Sequence, residues 1–336
     1  MLARAMNTTR FRKTTTENSC RSLSAFSVSE YDDFAVGFTE DLPLIFTDGN
    51  TEKSECPDSP LTLRQVLRSS VGVIGQKGRL GLSEKVVLLN GKICVLKRFN
   101  KVSIKRGEFG RRIVRFGLVS SECKYIVPIH AYFYAKRIKF VVCQYYPMGS
   151  LADLLTSARN LGQTPLNWNQ RLKIIHGLAQ AIEFIHTRTC SQEKHLKMNI
   201  HGNIKSSNVL INIDFTPHLS DYGFSLLAER VEKVSDTGQP TPTAKEEGNL
   251  VYSEIFSQKS DIYNFGIIVL DILRGPVEIK GNLKDIQEDD LFEFCVEGNE
   301  RMQALRVLDI GLACLNKSPE SRPTIQKIMV CLSQLF

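Results

Sequence analysis

The hydrophobic pattern changes once along this sequence, and that change limits the fold more than any other feature. Apolar runs typical of strands occur at 71–74, 84–89, 93–99, 126–134 and 140–145. One helical segment, at 108–118, interrupts them. Beyond residue 150 the apolar spacing becomes helical, at 168–186, 261–273, 302–315 and 324–335. The pattern predicts an α+β fold of two lobes, a small strand-rich lobe with one helix and a larger helical lobe, with a ligand cleft between them.

Charge is distributed in blocks, although the formal total is only +7. Residues 1–29 hold five basic residues against one acid, whereas residues 30–60 hold nine acids against one lysine. Neither segment shows a sustained hydrophobic period, so we predict a disordered tail, basic over 1–29 and acidic over 30–60. A folded domain is expected over 61–336, with its small lobe at 61–148 and its large lobe at 149–336.

The location of the protein is suggested by what the sequence lacks. The nine cysteines form no C-x-x-C pair and suit reduced thiols. The best apolar stretch, 265–273, is too short to cross a bilayer and contains Asp271. We expect a cytoplasmic protein, with peripheral attachment to the plasma membrane as a variant of that location. The composition of residues 1–29 also fits an organelle transit peptide, which we favour less than a disordered basic start.

Several motifs follow one another in an order that carries chemical meaning. A glycine-rich turn lies between two predicted strands, where backbone amides can approach phosphates, and its glycines are Gly75, Gly78 and Gly81. Lys97 ends a strand soon afterwards and brings an amine to the same place. Residues 201–208 read His-Gly-Asn-Ile-Lys-Ser-Ser-Asn, and Asp221-Tyr-Gly follows after a predicted hairpin. The glycine turn alone is weak evidence, but the ordered set is specific.

Together with motifs at 260–266 and 321–323, this series resembles a eukaryotic protein kinase domain over residues 61–336. Within that fold the sequence looks like the cytosolic domain of plant receptor-like kinases, closest to the pollen type with leucine-rich-repeat ectodomains. The phrases that carry the resemblance are Arg115-Phe-Gly, Tyr146-Pro-Met-Gly-Ser-Leu, Trp168-Asn-Gln-Arg-Leu-Lys-Ile-Ile, Lys205-Ser-Ser-Asn-Val-Leu and Asp221-Tyr-Gly-Phe. Because the sequence shows neither an ectodomain nor a membrane span, we expect a free-standing relative of a receptor's inner half.

The resemblance implies roles for individual residues. It assigns the ATP phosphates to the three glycines and Lys97, magnesium to Asn208 and Asp221, and the transferred phosphate to Lys205. ATP and Mg²⁺ are therefore the implied cofactors. Asn208 and Asp221 have an alternative role as caps of local backbone, so retained nucleotide contact and its loss both stay open.

Two positions depart from active kinases in their chemistry. Asn203 stands where the catalytic loop has the Asp that accepts the substrate's proton, and an amide cannot take that proton at neutral pH. Arg112 stands where the small-lobe helix has the Glu that holds Lys97, so a repelling cation replaces a partner. A competing register would use Glu108, one turn earlier, and would require the helix to slide by about 5–6 Å.

Further departures concern the surfaces that bind nucleotide and substrate. Gly75 and Gly81 bracket one residue too many for the G-x-G-x-x-G spacing. Gly202 replaces the arginine that docks a phosphorylated activation loop. Only six residues separate Glu254 from Asp261, where the family has a helix and a loop that help to seat a substrate peptide.

These departures predict a pseudokinase, a kinase fold used as a signalling scaffold or allosteric partner, with ATP binding either retained or lost. The alternative is a weak or atypical Ser/Thr kinase that uses Glu108 and tolerates Asn203; a decayed gene copy is a third interpretation. The expected partners are active receptor-like kinases or other signalling proteins. Nine basic residues against one acid between Lys92 and Arg115 suggest docking of an acidic protein surface or an anionic membrane. No nucleic-acid-binding motif accompanies them, so nucleic acid is not an expected partner.

Overall fold

The small lobe is built on one sheet of six antiparallel strands in the order β1-β5-β6-β4-β3-β2. The computed structural model describes residues 44–47, 62–74, 81–88, 91–100, 102, 104–135, 138–162, 166–188, 198–227, 256–275 and 292–335. The strands are β1 Ile45–Phe46, β2 Ser70–Ile74, β3 Gly81–Val87, β4 Ile93–Phe99, β5 Ile129–Tyr134 and β6 Lys139–Gln144. Between β3 and β4, Gly91 has φ +79° and donates its N–H to the carbonyl of Leu88.

Two helices cover the two faces of this sheet. Helix α1, Leu63–Arg68, starts at a capping box in which Thr62 and Gln65 exchange hydrogen bonds. Helix α2, Arg106–Ser121, lies against β5 and buries Phe109, Ile113 and Phe116 completely. Each face of the sheet therefore has its own hydrophobic core, and the core under α2 is continuous with that of the large lobe.

The large lobe is helical, with a short hairpin between helices α4 and α5. Its elements are α3 Leu151–Asn160, α4 Trp168–Thr187, β7 Val209–Ile211, β8 Pro217–Leu219, α5 Gln258–Arg274, α6 Gly298–Cys314 and α7 Ile325–Ser333. Ser150 caps α3, since its hydroxyl accepts the N–H of Asp153. Helix α4 contacts β8, α5 and α7 and runs through the centre of the lobe.

A buried arginine ties the helices of the large lobe together. The side chain of Arg171, on α4, has no solvent exposure. It donates hydrogen bonds to the carbonyls of Leu166 and Ile272 and pairs with Glu293 at 2.9 Å. Arg159 bonds the same carboxylate at 2.8 Å. A buried cation bonded to two carbonyls and a shared carboxylate fixes how α3, α4 and α5 meet.

The predicted α+β fold with two lobes is confirmed. The predicted helices at 108–118 and 168–186 are real and extend by one to three residues at their ends. None of the described helices combines the length and the hydropathy that a bilayer crossing needs.

Residues 44–47 correct the predicted extent of the tail. They fall within 1–60, yet β1 pairs with β5 at the edge of the sheet. Leu44 is 4% exposed, and the Thr47 hydroxyl donates to the carbonyl of Ile129 at 2.5 Å. The prediction of disorder is wrong for these four residues, because a strand of two residues shows no readable period. The other residues of 1–60 lie outside the described part of the chain.

The attachment of β1 gives a test of this correction. Replacing Leu44 by Ala removes an apolar side chain from the core between α1 and the sheet, and we expect a loss of about 2–3 kcal/mol in the free energy of unfolding. Ile45→Ala is the matched control, because Ile45 is 43% exposed, and it should cost less than about 1 kcal/mol. Urea denaturation measures both. Equal losses in the two variants would mean that β1 does not hold Leu44 in the core.

Candidate functional site

The predicted site residues meet where the sheet faces the large lobe. Lys97, on β4, reaches across to Asp221, which follows β8, and the two side chains form an ion pair. Their side chains are 15% and 7% exposed. The ion pair therefore bridges the lobes in a largely dehydrated place, where the attraction of opposite charges is stronger than at the surface.

The loop at 201–208 is held from below by the buried carboxylate of Asp261 on α5. That carboxylate accepts the backbone N–H groups of His201 at 2.8 Å and Gly202 at 2.9 Å, and His186 lies 3.0 Å from it. Asp261 has no solvent exposure. Three hydrogen bonds to one buried carboxylate fix the start of this loop.

His201 links this fixed start of the loop to Ser220 and Asn203 through hydrogen bonds. Burial lowers the pKa of His201, although the charges of Asp261 and Asp221 oppose the effect. The ring is therefore neutral near pH 7, with Nε2–H donated to the carbonyl of Ser220 at 2.9 Å and Nδ1 accepting the N–H of Asn203 at 3.1 Å. One tautomer thus connects the residue before Asp221 with the residue at the catalytic position.

Asn203, Asn208 and Asp221 form a single hydrogen-bonded group. Asn208 donates its amide N–H to the carbonyl of Asn203 at 2.8 Å, and the side-chain amide of Asn203 lies 3.4 Å from Asp221 Oδ2. A carboxylate accepts only, so Asn203 must present its NH₂ group to Asp221. Position 203 is therefore a hydrogen-bond donor toward the site and does not supply a base.

The side chain of Arg112 points away from Lys97. It pairs with Glu108 one turn earlier on α2 and donates to the carbonyl of Leu226. Glu108 also pairs with Arg111. The competing register, in which Glu108 would hold Lys97, is not the one observed, because the Glu108 carboxylate is bonded to two arginines. The expected repulsion between Arg112 and Lys97 is avoided by this orientation.

A turn of 3₁₀ helix, Phe224–Leu227, follows Asp221-Tyr222-Gly223 directly and packs against α2. The ring of Phe224 is buried and makes an edge contact with Phe99, at 5.2 Å between centroids, and a tilted contact with Phe116. The hydrogen bond from Arg112 ends on this turn, at Leu226. The turn is therefore packed from two sides, against the sheet and against α2.

The other predicted positions are less engaged or lie outside the described residues. Gly81 begins β3, whereas Gly75 and Gly78 fall in the part of the chain that the structure does not describe. Lys205 is exposed in the loop after Asn203. Cys143, on β6, lies opposite Val95 of β4, and burial raises the pKa of its thiol to about 12, so this cysteine packs rather than reacts.

A family model described as protein tyrosine and serine/threonine kinase matches residues 97–332. The chain belongs to the protein kinase family. Arabidopsis thaliana relatives include a probable inactive receptor kinase (28% identical, covering 80% of this chain and 41% of the relative) and pollen receptor-like kinase 1 (30%, 81% and 42%). An inactive leucine-rich repeat receptor-like serine/threonine-protein kinase of the same plant is 32% identical, covering 80% and 41%. The chain thus spans about two fifths of the length of these relatives.

Two solved structures show the same kinase fold. The pseudokinase domain of BIR2, an immune regulator of the RLK/Pelle family, superposes with a TM-score of 0.68 at 20% identity, over 89% of this chain and 91% of that one. The maize SIRK1 kinase domain bound to AMP-PNP gives 0.63 at 24% identity, over 87% and 99%. At these identities the likeness concerns the fold.

Sequence reasoning missed Phe256, whose buried ring packs against Gly202. Gly202 has φ +71°, and a Cβ atom built there would lie 2.0 Å from the Phe256 ring. The space in which an arginine side chain would begin is therefore filled. Gly202 was the signal available in the sequence, but which side chain takes the space depends on the path of the chain before α5.

The oxygen atoms of this kinase site are of the type that magnesium binds, but their arrangement does not suit the ion. Asp221 and Asn208 offer the oxygen ligands that magnesium prefers. However, Lys97 occupies one Asp221 oxygen and the Asn203 amide faces the other. Among the described residues, no group of three or more His, Cys, Asp or Glu side chains could hold a metal ion. As arranged, the residues do not present a ready magnesium site.

The close packing at Gly202 can be tested against a glycine of similar backbone. Gly162, after α3, has φ +64° and nothing within 4 Å of a built Cβ. Gly162→Ala should cost about 1 kcal/mol for the left-handed backbone alone. Gly202→Ala should cost about 1–3 kcal/mol more, because the Phe256 ring must move. The measurement is the free energy of unfolding in urea, and equal costs would show that the ring does not fill this space.

Proposed function

We propose that this protein is a pseudokinase that acts as a signalling scaffold or an allosteric partner. The observation that carries the proposal is the side chain at position 203, which donates toward Asp221 where phosphoryl transfer needs a proton acceptor. Loss of a general base typically removes about 10²- to 10⁴-fold in rate. Several relatives described as inactive receptor kinases support the same conclusion.

A second defect acts on the residue that should orient the nucleotide. Lys97 pairs with Asp221, and the α2 position that faces it in active kinases is occupied by Arg112. Positioning is the larger part of phosphoryl-transfer catalysis, since the transition state demands little covalent chemistry of the protein. A site that lacks both the base and the lysine's holder is poorly suited to transfer. Nucleotide binding remains part of the proposal, because Lys97 and Lys205 are both retained.

The atypical kinase is the weaker candidate. It needs Glu108 to hold Lys97, yet Glu108 pairs with Arg111 and Arg112 and its side chain is 24% exposed. Reaching Lys97 would break both pairs and also release the 3₁₀ turn from its hydrogen bond with Arg112. No observation favours that rearrangement.

The proposal predicts the outcome of a phosphotransfer assay. Pure protein with labelled ATP and Mg²⁺ should transfer no more phosphate to itself or to a generic substrate than Lys97→Ala does. Asn203→Asp should give little gain, because Arg112 still denies Lys97 its glutamate. Transfer by the wild type that Lys97→Ala abolishes would overturn the proposal. A large gain in Asn203→Asp alone would favour the atypical kinase instead.

For partners we propose the outer face of α2 as a docking surface for active receptor-like kinases or other signalling proteins. The basic run at 92–115 does not form one patch, because Lys97 lies in the cleft and Arg98 pairs with Glu84. On α2 itself four arginines outnumber Glu108, and the Arg111 side chain is 72% exposed. This surface favours an acidic protein face, and an anionic membrane is the alternative.

Charge reversal on α2 tests this docking surface. Arg111→Glu should weaken capture of receptor-like kinase domains several-fold, and the wild-type interaction should weaken as salt increases. Lys327→Glu is the matched control, because Lys327 is exposed on α7 in the other lobe. Vesicles with and without phosphatidylserine form a parallel arm that detects the membrane alternative. Equal effects of the two reversals in both arms would exclude α2 as the docking surface.

A further inference from the structure

We propose that the cleft binds ATP without a divalent cation, because Asp221 serves Lys97 and is not released to a metal. This inference rests on the proposed pseudokinase that retains nucleotide contact. It concerns the chemical form of the ligand, a metal-free nucleoside triphosphate, and the residues that select that form.

The site is short of carboxylates. The Lys97 ammonium has Asp221 as its carboxylate partner, and no second carboxylate among the described residues pairs with it. Glu108 is bonded to Arg111 and Arg112. If position 112 held a glutamate, that glutamate could pair with Lys97 while Asp221 bound the metal. With arginine there, Asp221 can perform only one of these two tasks.

The second step concerns the cost of releasing Asp221. The Lys97 side chain is 15% exposed, so an ammonium that lost its partner would be left largely out of water. A cation arriving at Asp221 would also have to displace the amide of Asn203 from Oδ2. A phosphate group does not meet this obstacle, because it can join the Lys97–Asp221 pair as a second acceptor for the ammonium.

The third step is the charge of the site. An aspartate at position 203 would carry a negative charge and Asn203 carries none, so the site has one carboxylate fewer to attract a divalent cation. Lys205 is exposed in the loop after Asn203, from which its ammonium can approach the terminal phosphates. Protein cations thereby take over the neutralising role that magnesium has in active kinases.

The test is calorimetric titration of the full chain with ATP at constant ionic strength, once with EDTA and once with Mg²⁺. We expect dissociation constants that differ by less than about threefold. Tightening by tenfold or more with Mg²⁺ would overturn the inference and leave the pseudokinase proposal standing. Absence of binding in both conditions would overturn nucleotide retention itself, and the inference with it.

Two charge reversals supply a matched pair of variants. Arg112→Glu gives Lys97 its own carboxylate, so it should acquire tighter ATP binding with Mg²⁺ by about tenfold. Lys327→Glu makes the same charge change at an exposed position of α7 in the other lobe and should behave as the wild type. Equal responses to Mg²⁺ in the two variants would contradict the division of tasks.

A third variant keeps the test decisive if Arg112→Glu does not fold. Asp221→Asn retains a residue that tolerates the observed φ of +69° and removes the carboxylate charge that repels the phosphate beside Lys97. We expect it to bind ATP more tightly than the wild type in EDTA. Weaker binding would show that Asp221 recruits a cation, which the inference denies.

Discussion

The ion pair between Lys97 and Asp221 is the interaction on which the arrangement of the cleft depends. It joins a strand of the sheet to a loop of the large lobe, so it links the two lobes across the cleft. Its strength comes from burial, since few water molecules compete for either charge. With Asp221 held in this way, the residues after it turn at once into the 3₁₀ segment beneath α2. That segment brings Leu226 within reach of Arg112.

The fold could be read from the sequence because its signals are local or repeated. Helix α4 is predictable because apolar residues recur at helical spacing over its twenty residues and because Asn167 and Gln170 form a capping box at its start. The hairpin between β3 and β4 needs only its glycine turn. In contrast, β1 is two residues long, and its stability comes from Leu44 and Thr47 meeting elements far away in sequence. No pattern within the segment itself records such contacts.

The candidate site likewise contains residues that the sequence predicts and contacts that it does not. Motif order identified Lys97, Asn203, Asn208 and Asp221, and the structure brings these four together. The partners of Arg112 could not be read in advance, because one is a backbone carbonyl, which any residue provides. The sequence reasoning anticipated a clash of like charges there. It did not allow for the reach of a long side chain, which lets a cation turn away from its neighbour and find other acceptors.

The Phe256 ring beside Gly202 bears on how such a protein could change over evolutionary time. An arginine at position 202 is of no use while the ring fills its space, and loss of the ring alone would open a void next to a glycine. Either substitution alone therefore lowers the stability of the fold before it can improve catalysis. This packing makes a glycine at position 202 easier to acquire than to replace by arginine.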